Sequence, residues 1–308
     1  MREEAIKCVN YYQIFNTIPS DITCVRLYNL IHAISVMLIT PVITAKDSGF
    51  LSAKNTGLGN VLFQIASCYG LAKITGRKPV WNNVVEFSDK LKTLYNYNHK
   101  NTIFRNCKDI LHVSFTSIRE SHHWEYDKKL VTQLMKTSSN INVVGYLEHL
   151  SYFHAYRTDI LDLFSIDPIS LDMIQTLHPV LFDRERMTIS IHFRGNEYLT
   201  HSSIGAPWDY DYYKRAVEYF NDIINPVFII FSDDVEKIDL SFLGGRPYMV
   251  IKNTEDYLDL WCQSLCKHNI LSRSTFSFWG AYLNNTPNNI TLYNKTESPP
   301  YRYIFTSI

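Results

Sequence analysis

The side chains most able to do chemistry sit in three short runs, each closing an apolar stretch. Residues 187–198 read MTISIHFRGNEY and deliver His192 and Arg194. Residues 227–234 read VFIIFSDD and deliver Asp233 and Asp234. Residues 269–280 read NILSRSTFSFWG and deliver Ser274, Thr275 and Phe276. Alternate residues of a strand share a face, so His192 and Arg194 address the same side. Arginine carries a planar fork of donors that matches phosphate oxygens. Two basic groups buried at a strand end without an anion would be costly, which favours a ligand over a surface ion pair beside a core histidine. Carboxylates just past a strand can take ribose hydroxyls or the donor edge of guanine, while Ser232 or Asp233 could equally cap a helix. Small hydroxyl residues before a helix offer N–H and O–H donors to a diphosphate, or form a plain N-cap run. Ligands of open α/β sheets bind at the carboxyl ends of strands, so three such ends together read as a nucleotide site.

A fourth run, Gly57-Leu58-Gly59-Asn60, separates an expected strand from an expected helix. Paired glycines there let the backbone approach a ligand, and a helix N-terminus favours anions. The spacing is not the dinucleotide GxGxxG fingerprint, so a tight structural turn and a ligand site both stay open. Asp209-Tyr210-Asp211 could hold a metal but precedes a helix and reads as its cap.

The elements that must position these residues follow from apolar spacing. Strands are expected near 34–45, 79–85, 110–115 and 140–146, with helices over 61–76 and 150–164. Gly76 is the expected C-cap of the first helix. Beyond residue 183 the alternation is cleaner: strand 187–193, helix 211–222, strands 227–231 and 248–251, helix 255–268, strand 269–273, a short helix from 276 and strand 289–293. Alternating strands and helices imply parallel sheets covered by helices. The organisation expected is an extension over 1–30, one Rossmann-like domain over 31–182 and a second over 183–308.

The 308 residues suit two domains, and 46% hydrophobic with 19% charged is a globular composition. Thirty basic and thirty acidic residues leave zero net charge, which argues against nucleic-acid binding. Six scattered cysteines do not form a disulfide framework. Cys262, Cys266 and His268 lie close enough to suggest a metal site, but one helical turn separates the thiols and core packing is the preferred reading. Residues 27–45 are the one candidate membrane segment, long enough to span but containing Asn29, His32, Ser35 and Pro41. A short helix followed by a buried strand is preferred, and a cytosolic or a Golgi compartment stays open with it. Sequons stand at Asn284, Asn289 and Asn294.

In order along the chain, GLGNVLFQIAS, GYLEHLSYF at 145–153, HFRGNEY at 192–198, FIIFSDD at 228–234 and SLCKHNILSRSTFSFWGAYLN at 264–284 resemble the motifs of the α-1,2-fucosyltransferase family, glycosyltransferase family 11. The resemblance covers about 45–285. It implies an α/β GT-B-type fold with two facing Rossmann-like domains. It further implies an inverting, metal-independent transfer of fucose from GDP-fucose to a galactose-terminated glycan acceptor, with no cofactor. Carried over by position, Arg194 grips the β-phosphate, His192 orients the site, and one of Asp233 and Asp234 reads guanine or ribose. Ser274, Thr275 and Phe276 line the phosphates, and Gly57, Gly59 and Asn60 close on the donor from the opposite domain. Glu197 aligns with a family aspartate and is the candidate base. Where the family has Arg, Gly and Asp, this chain has Gly195, Asn196 and Glu197. Val61 and Glu148 each replace a glutamine, and Phe278 replaces a tryptophan. These departures keep open a related fucosyltransferase with another acceptor or linkage, and a non-catalytic sugar-nucleotide or glycan-binding protein.

Overall fold

A computed structural model describes residues 37–43, 57–95, 98–111, 113–122, 125–194, 208–296 and 304–308. Two all-parallel sheets organise them. The first holds β1 (Leu38–Val42), β2 (Lys78–Pro79), β3 (Thr116–Arg119) and β4 (Ile141–Val144) in the order β2-β1-β4-β3. The second holds β5 (Met187–Phe193), β6 (Pro226–Ser232), β7 (Tyr248–Val250), β8 (His268–Ile270), β9 (Thr291–Tyr293) and β10 (Thr306–Ser307) in the order β10-β9-β8-β5-β6-β7. In this sheet the chain steps outward from β5 to β6 and β7, then returns to the other side of β5 with β8. The strand order therefore reverses between β5 and β8, where open α/β sheets form their ligand crevice.

Helix α1 (Leu58–Thr75) shows why the two sheets stay together. Its buried residues, from Leu58 through Phe63 and Ile65 to Ala72, lie on all sides of the helix. A helix apolar all round has to be packed on all sides. One apolar core therefore runs from Ile39, Ile141 and Val143 through α1 to Val227, Ile229 and Phe231 of β6. The alternate β6 residues Phe228 and Ile230 enter a second core, against Tyr212, Tyr213, Ala216 and Val217 of α6 (Tyr210–Glu218). The remaining helices are α2 (Asn82–Tyr95), α3 (Lys128–Lys136), α4 (Arg157–Leu163), α5 (Pro168–Leu177), α7 (Asp256–Leu265) and α8 (Thr275–Tyr282). Phe63 stacks on Phe278 of α8 at 4.8 Å between centroids, and Phe153 stacks on Trp279 at 5.5 Å. Such aromatic pairs contribute roughly 0.5–1.5 kcal/mol each beyond their burial. Polar ties add to them: His99 Nε2 lies 2.7 Å from Asp256 Oδ1, and Arg157 donates to the carbonyls of Tyr282 and Asn284.

Several expected elements are corrected. The strand expected at 79–85 is the two-residue β2, and α2 begins at Asn82, with Val84 and Phe87 packed in the core. The strand expected at 110–115 starts at Thr116, where pairing with Ile141 begins. Leu111 is instead held out of the sheet by reciprocal bonds with the Asn82 side chain. The helix expected over 150–164 is two 3-10 turns, Leu150–Tyr152 and His154–Tyr156, followed by α4. Phe153, at φ −137°, breaks it.

Leu38–Val42 of the candidate membrane segment is a central strand, paired with β2 on one side and β4 on the other. Those residues are therefore not part of a bilayer span, and residues 27–36, 44 and 45 lie outside the described residues. Among the described residues no helix is long and apolar enough to cross a membrane. Two sequons are also committed to the fold. The buried Asn284 side chain donates to Cys266 O and Asn269 Oδ1, and that of Asn294 donates to Asp209 Oδ2.

Candidate functional site

The carboxyl end of β5 is built on a polar row. Thr188, Ser190 and His192 occupy one face of the strand, while Ile189, Ile191 and Phe193 enter the second core. Asn269 donates to Ser190 Oγ at 2.7 Å, and His192 Nδ1 lies 2.7 Å from Ser272 Oγ. The imidazole packs against Phe276 with centroids 5.4 Å apart. Burial, helped by the Arg194 charge, pushes its pKa down to about 3. His192 is thus an uncharged hydrogen-bonding group at neutral pH, and the positive charge of this strand end comes from Arg194. The Arg194 carbonyl accepts from Trp208 Nε1 at 2.9 Å, which fixes the backbone beside the guanidinium.

At the neighbouring strand end Phe193 pairs with Ser232. Ser232 Oγ accepts from Asp234 N at 3.1 Å, so this serine caps the turn. Asp233 is exposed, and Lys252 donates to its carbonyl at 3.1 Å. Asp234 is half-buried and pairs with Lys237 at 3.3 Å. Behind them Asp259 accepts from the backbone and side-chain nitrogens of Asn253. Burial raises its carboxyl to about 6, with Asp256 and Asp233 adding to the shift.

The third strand end turns into α8. Ser274 is its N-cap and accepts from Phe276 N. Ser277 Oγ accepts from Ser272 N at 3.1 Å, closing the turn that holds Ser272 against His192. The first turn of α1 meets this turn directly. Thr275 Oγ1 donates to Asn60 Oδ1 at 2.6 Å, across 215 residues of sequence. A Cβ on Gly59 would lie 2.5 Å from Phe276 N and 2.5 Å from the Thr275 carbonyl carbon. Only glycine permits this approach, so the GLGN run makes close backbone contact with the Thr275–Phe276 turn. Gly57, the N-cap residue of α1, makes no side-chain cap, and its surroundings are open. Two helix N-termini, each with the partial positive charge of its leading amides, therefore adjoin the β5–β8 crevice beside Arg194.

The structure thus brings Gly59, Asn60, His192, Ser274, Thr275 and Phe276 into one contact network, with Arg194 at its edge. Asp233 and Asp234 stand at the adjoining strand end. Glu197, with Gly195 and Asn196, lies outside the described residues. Asp209 caps α6 by accepting from Tyr212 N. Cys262 and Cys266 are buried thiols whose pKa values burial raises, and His268 Nδ1 accepts from Ile290 N. Sequence reasoning missed a buried group at the carboxyl end of the first sheet, Glu120 with Gln64 and Ser67. The available signal was a charged residue directly after the TSIR strand, which the misplacement of that strand hid.

The solved structure of the fucosyltransferase NodZ from Bradyrhizobium has the same fold, with a TM-score of 0.51 at 12% identity over 86% of this chain and 97% of that one. The two parallel sheets are the facing Rossmann-like halves of a GT-B-type fold. An O-antigen biosynthesis glycosyltransferase of Escherichia coli, WbnK, is 33% identical over 157 residues, 48% of this chain and 52% of the relative. The matched stretch thus spans about half of that protein. The putative galactoside 2-α-L-fucosyltransferase svh-11 of Caenorhabditis elegans is 26% identical over 256 residues, 75% of this chain and 67% of the relative. The sequence profile of glycosyl transferase family 11 matches residues 21–302, and the chain belongs to that family.

Proposed function

We propose that this protein transfers fucose from GDP-fucose to a hydroxyl of a galactose-terminated glycan, forming an α-1,2 linkage with inversion and without a metal. Family membership supports the donor class, and the nematode relative's name as a galactoside 2-α-L-fucosyltransferase supports the linkage and acceptor. The observation that carries the reading is the meeting of the α1 and α8 N-termini, held by the Asn60–Thr275 bond beside Arg194. In this reading residues 183–308 hold the donor and residues 31–182 the acceptor.

A departing diphosphate gains negative charge as the glycosidic bond breaks. Fixed donors aimed at that charge lower the barrier most. Arg194 supplies a full charge and a bidentate fork to the β-phosphate, and the Ser274–Phe276 turn supplies amides and hydroxyls. His192, uncharged, orients the turn through Ser272. One of Asp233 and Asp234 takes the ribose or guanine. Gly57, Gly59 and Asn60 approach the sugar diphosphate from the other half. The sugar passes through an oxocarbenium-like state, and the acceptor hydroxyl attacks the face opposite the leaving GDP. Glu197 is the candidate to take the hydroxyl proton.

The test is GDP release from GDP-fucose with EDTA present, against a panel of galactose-terminated acceptors. Acceptor-dependent release that is lost in Arg194→Ala is the expected result. A wild-type protein that neither releases nor binds GDP would remove the donor assignment.

A further inference from the structure

Glu120 follows β3 at the carboxyl edge of the four-stranded sheet and is only 6% exposed. Its Oε2 accepts from Leu147 N at 2.9 Å, and its Oε1 accepts from the Tyr152 hydroxyl at 3.3 Å. Tyr152 in turn accepts from Asp127 N at 2.9 Å. Leu147 stands at φ 55°, a left-handed conformation that costs energy for a leucine, so something must hold it there. The turn is also packed tightly on the carboxylate. A Cβ on Gly145 would lie 2.6 Å from Glu120 Oε2 and 2.6 Å from its Cβ.

The same turn is tied to α1 from its other side. Gln64 Nε2 donates to Gly145 O at 3.1 Å, and Ser67 Oγ donates to Leu147 O at 2.8 Å. Gln64 stands one helical turn beyond Asn60, the residue bonded to Thr275. Polar contacts, joined through the backbone of the 145–147 turn and of α1, therefore link a buried carboxyl in one half to the site turn of the other.

We propose that Glu120 is a positioning residue for transfer. Its carboxyl fixes the Gly145–Leu147 turn, and that turn, through Gln64 and Ser67, sets the first turns of α1 and holds Asn60 against Thr275. The inference rests on the reading of the Asn60–Thr275 contact as part of the donor site.

The groups bonded to Glu120 are donors and favour its ionised form. Burial outweighs them and raises the carboxyl to about 7, with Asp127 adding to the rise, while the Leu147, Tyr152 and Tyr146 donors pull the other way. The ionisable groups facing Glu120 are Tyr152, whose own pKa burial raises, and Asp127, which its amide donors hold low. His149, two residues past Leu147, is lowered by burial below its ordinary value and titrates at more acidic pH. Because folding raises this pKa, protonation stabilises the closed turn, which is held most firmly below about pH 7 and loosens as Glu120 ionises above it.

The test compares wild type, Glu120→Gln and Tyr152→Phe by the pH dependence of kcat and of amide hydrogen exchange over residues 58–66. Wild type should lose kcat as the pH rises through neutrality, with exchange over 58–66 rising in step, after correction for intrinsic rates. Glu120→Gln keeps an acceptor for Leu147 N and should fold, yet lose both pH dependences and retain the wild-type GDP affinity. Tyr152→Phe removes one donor and should move both midpoints to higher pH. The same midpoint in Glu120→Gln as in wild type, or pH-independent exchange over 58–66 in wild type, would overturn the proposal. The exchange readout needs no turnover. A wild type inert towards GDP-fucose would therefore remove the functional reading while Glu120 was still tested.

Discussion

The carboxyl ends of the two sheets handle polarity in opposite ways. The six-stranded edge leaves Arg194 partly accessible and Asp233 exposed, on strand ends whose backbone is fixed by Trp208, Ser232 and Lys252. The four-stranded edge buries Glu120, Gln64 and Ser67 and engages them with backbone groups of its own half. A ligand site needs charge that is positioned but still available to an incoming anion. A positioning device needs the reverse, with its groups occupied by the protein so that their geometry is fixed. Gly59 and Asn60 of one half make a close contact with the Thr275–Phe276 turn of the other.

The largest effect is expected at the accessible edge. Arg194→Ala should lower the transfer rate by about 10²- to 10³-fold, the usual loss for one preorganised donor to developing charge. Its melting temperature should stay close to wild type, and single-turnover GDP release measures the loss. A rate within about threefold of wild type would place the charge stabilisation elsewhere.

Next is the junction. Gly59→Ala inserts a methyl against backbone atoms 2.5 Å away, where neither partner is a flexible side-chain end. Overpacking of this kind costs roughly 1–3 kcal/mol, and here it also separates the two helix N-termini. Both stability and donor affinity should fall, measured by chemical denaturation and GDP titration. Loss of stability with unchanged GDP affinity would show that the junction serves packing alone.

A smaller effect is expected where the two carboxylates divide their work. Asp234 is already paired with Lys237, whereas the carboxylate of Asp233 faces solvent. Asp233→Ala should therefore raise the donor KM more than Asp234→Ala, and equal donor affinity in wild type and both variants would remove the pair from the site. Thr275→Val removes the hydroxyl that bonds Asn60 and should cost about 1 kcal/mol, read as a non-additive cycle with Asn60→Ala.

The smallest effect is a pH trend at the buried edge. The Glu120 carboxyl rises from 4.5 to about 7 on folding, so the folded chain binds the proton more tightly than the unfolded one. Its contribution to stability is complete below about pH 4.5 and is lost as the pH rises through about 7. The melting temperature of wild type relative to Glu120→Gln should therefore decline from about pH 5 to about pH 8. The form of Glu120 that its donors favour is thus the form that burial disfavours.

The second sheet was largely legible because its signals are local. Apolar runs such as VFIIF mark β6, Asp209 and Ser274 mark helix starts as caps, and the residues after each strand carry recognisable donor or acceptor groups. The first sheet was less so. Its strands are short, and Asn82 diverts Leu111 into side-chain bonds where a strand was expected. Glu120 was missed for the same reason, since its role depends on a turn 27 residues away.

By itself the sequence determined the alternation of strands and helices, the family motifs and the residue types available at each strand end. These follow from local backbone preference and side-chain chemistry. Only the tertiary structure decided which of those ends meet. His192 became uncharged because burial in a dry core disfavours the imidazolium. Gly59 became indispensable because two helix starts, more than two hundred residues apart, are packed to backbone contact. Glu120 titrates above the usual carboxylate range because long-range packing buries it, an effect its donors only partly offset.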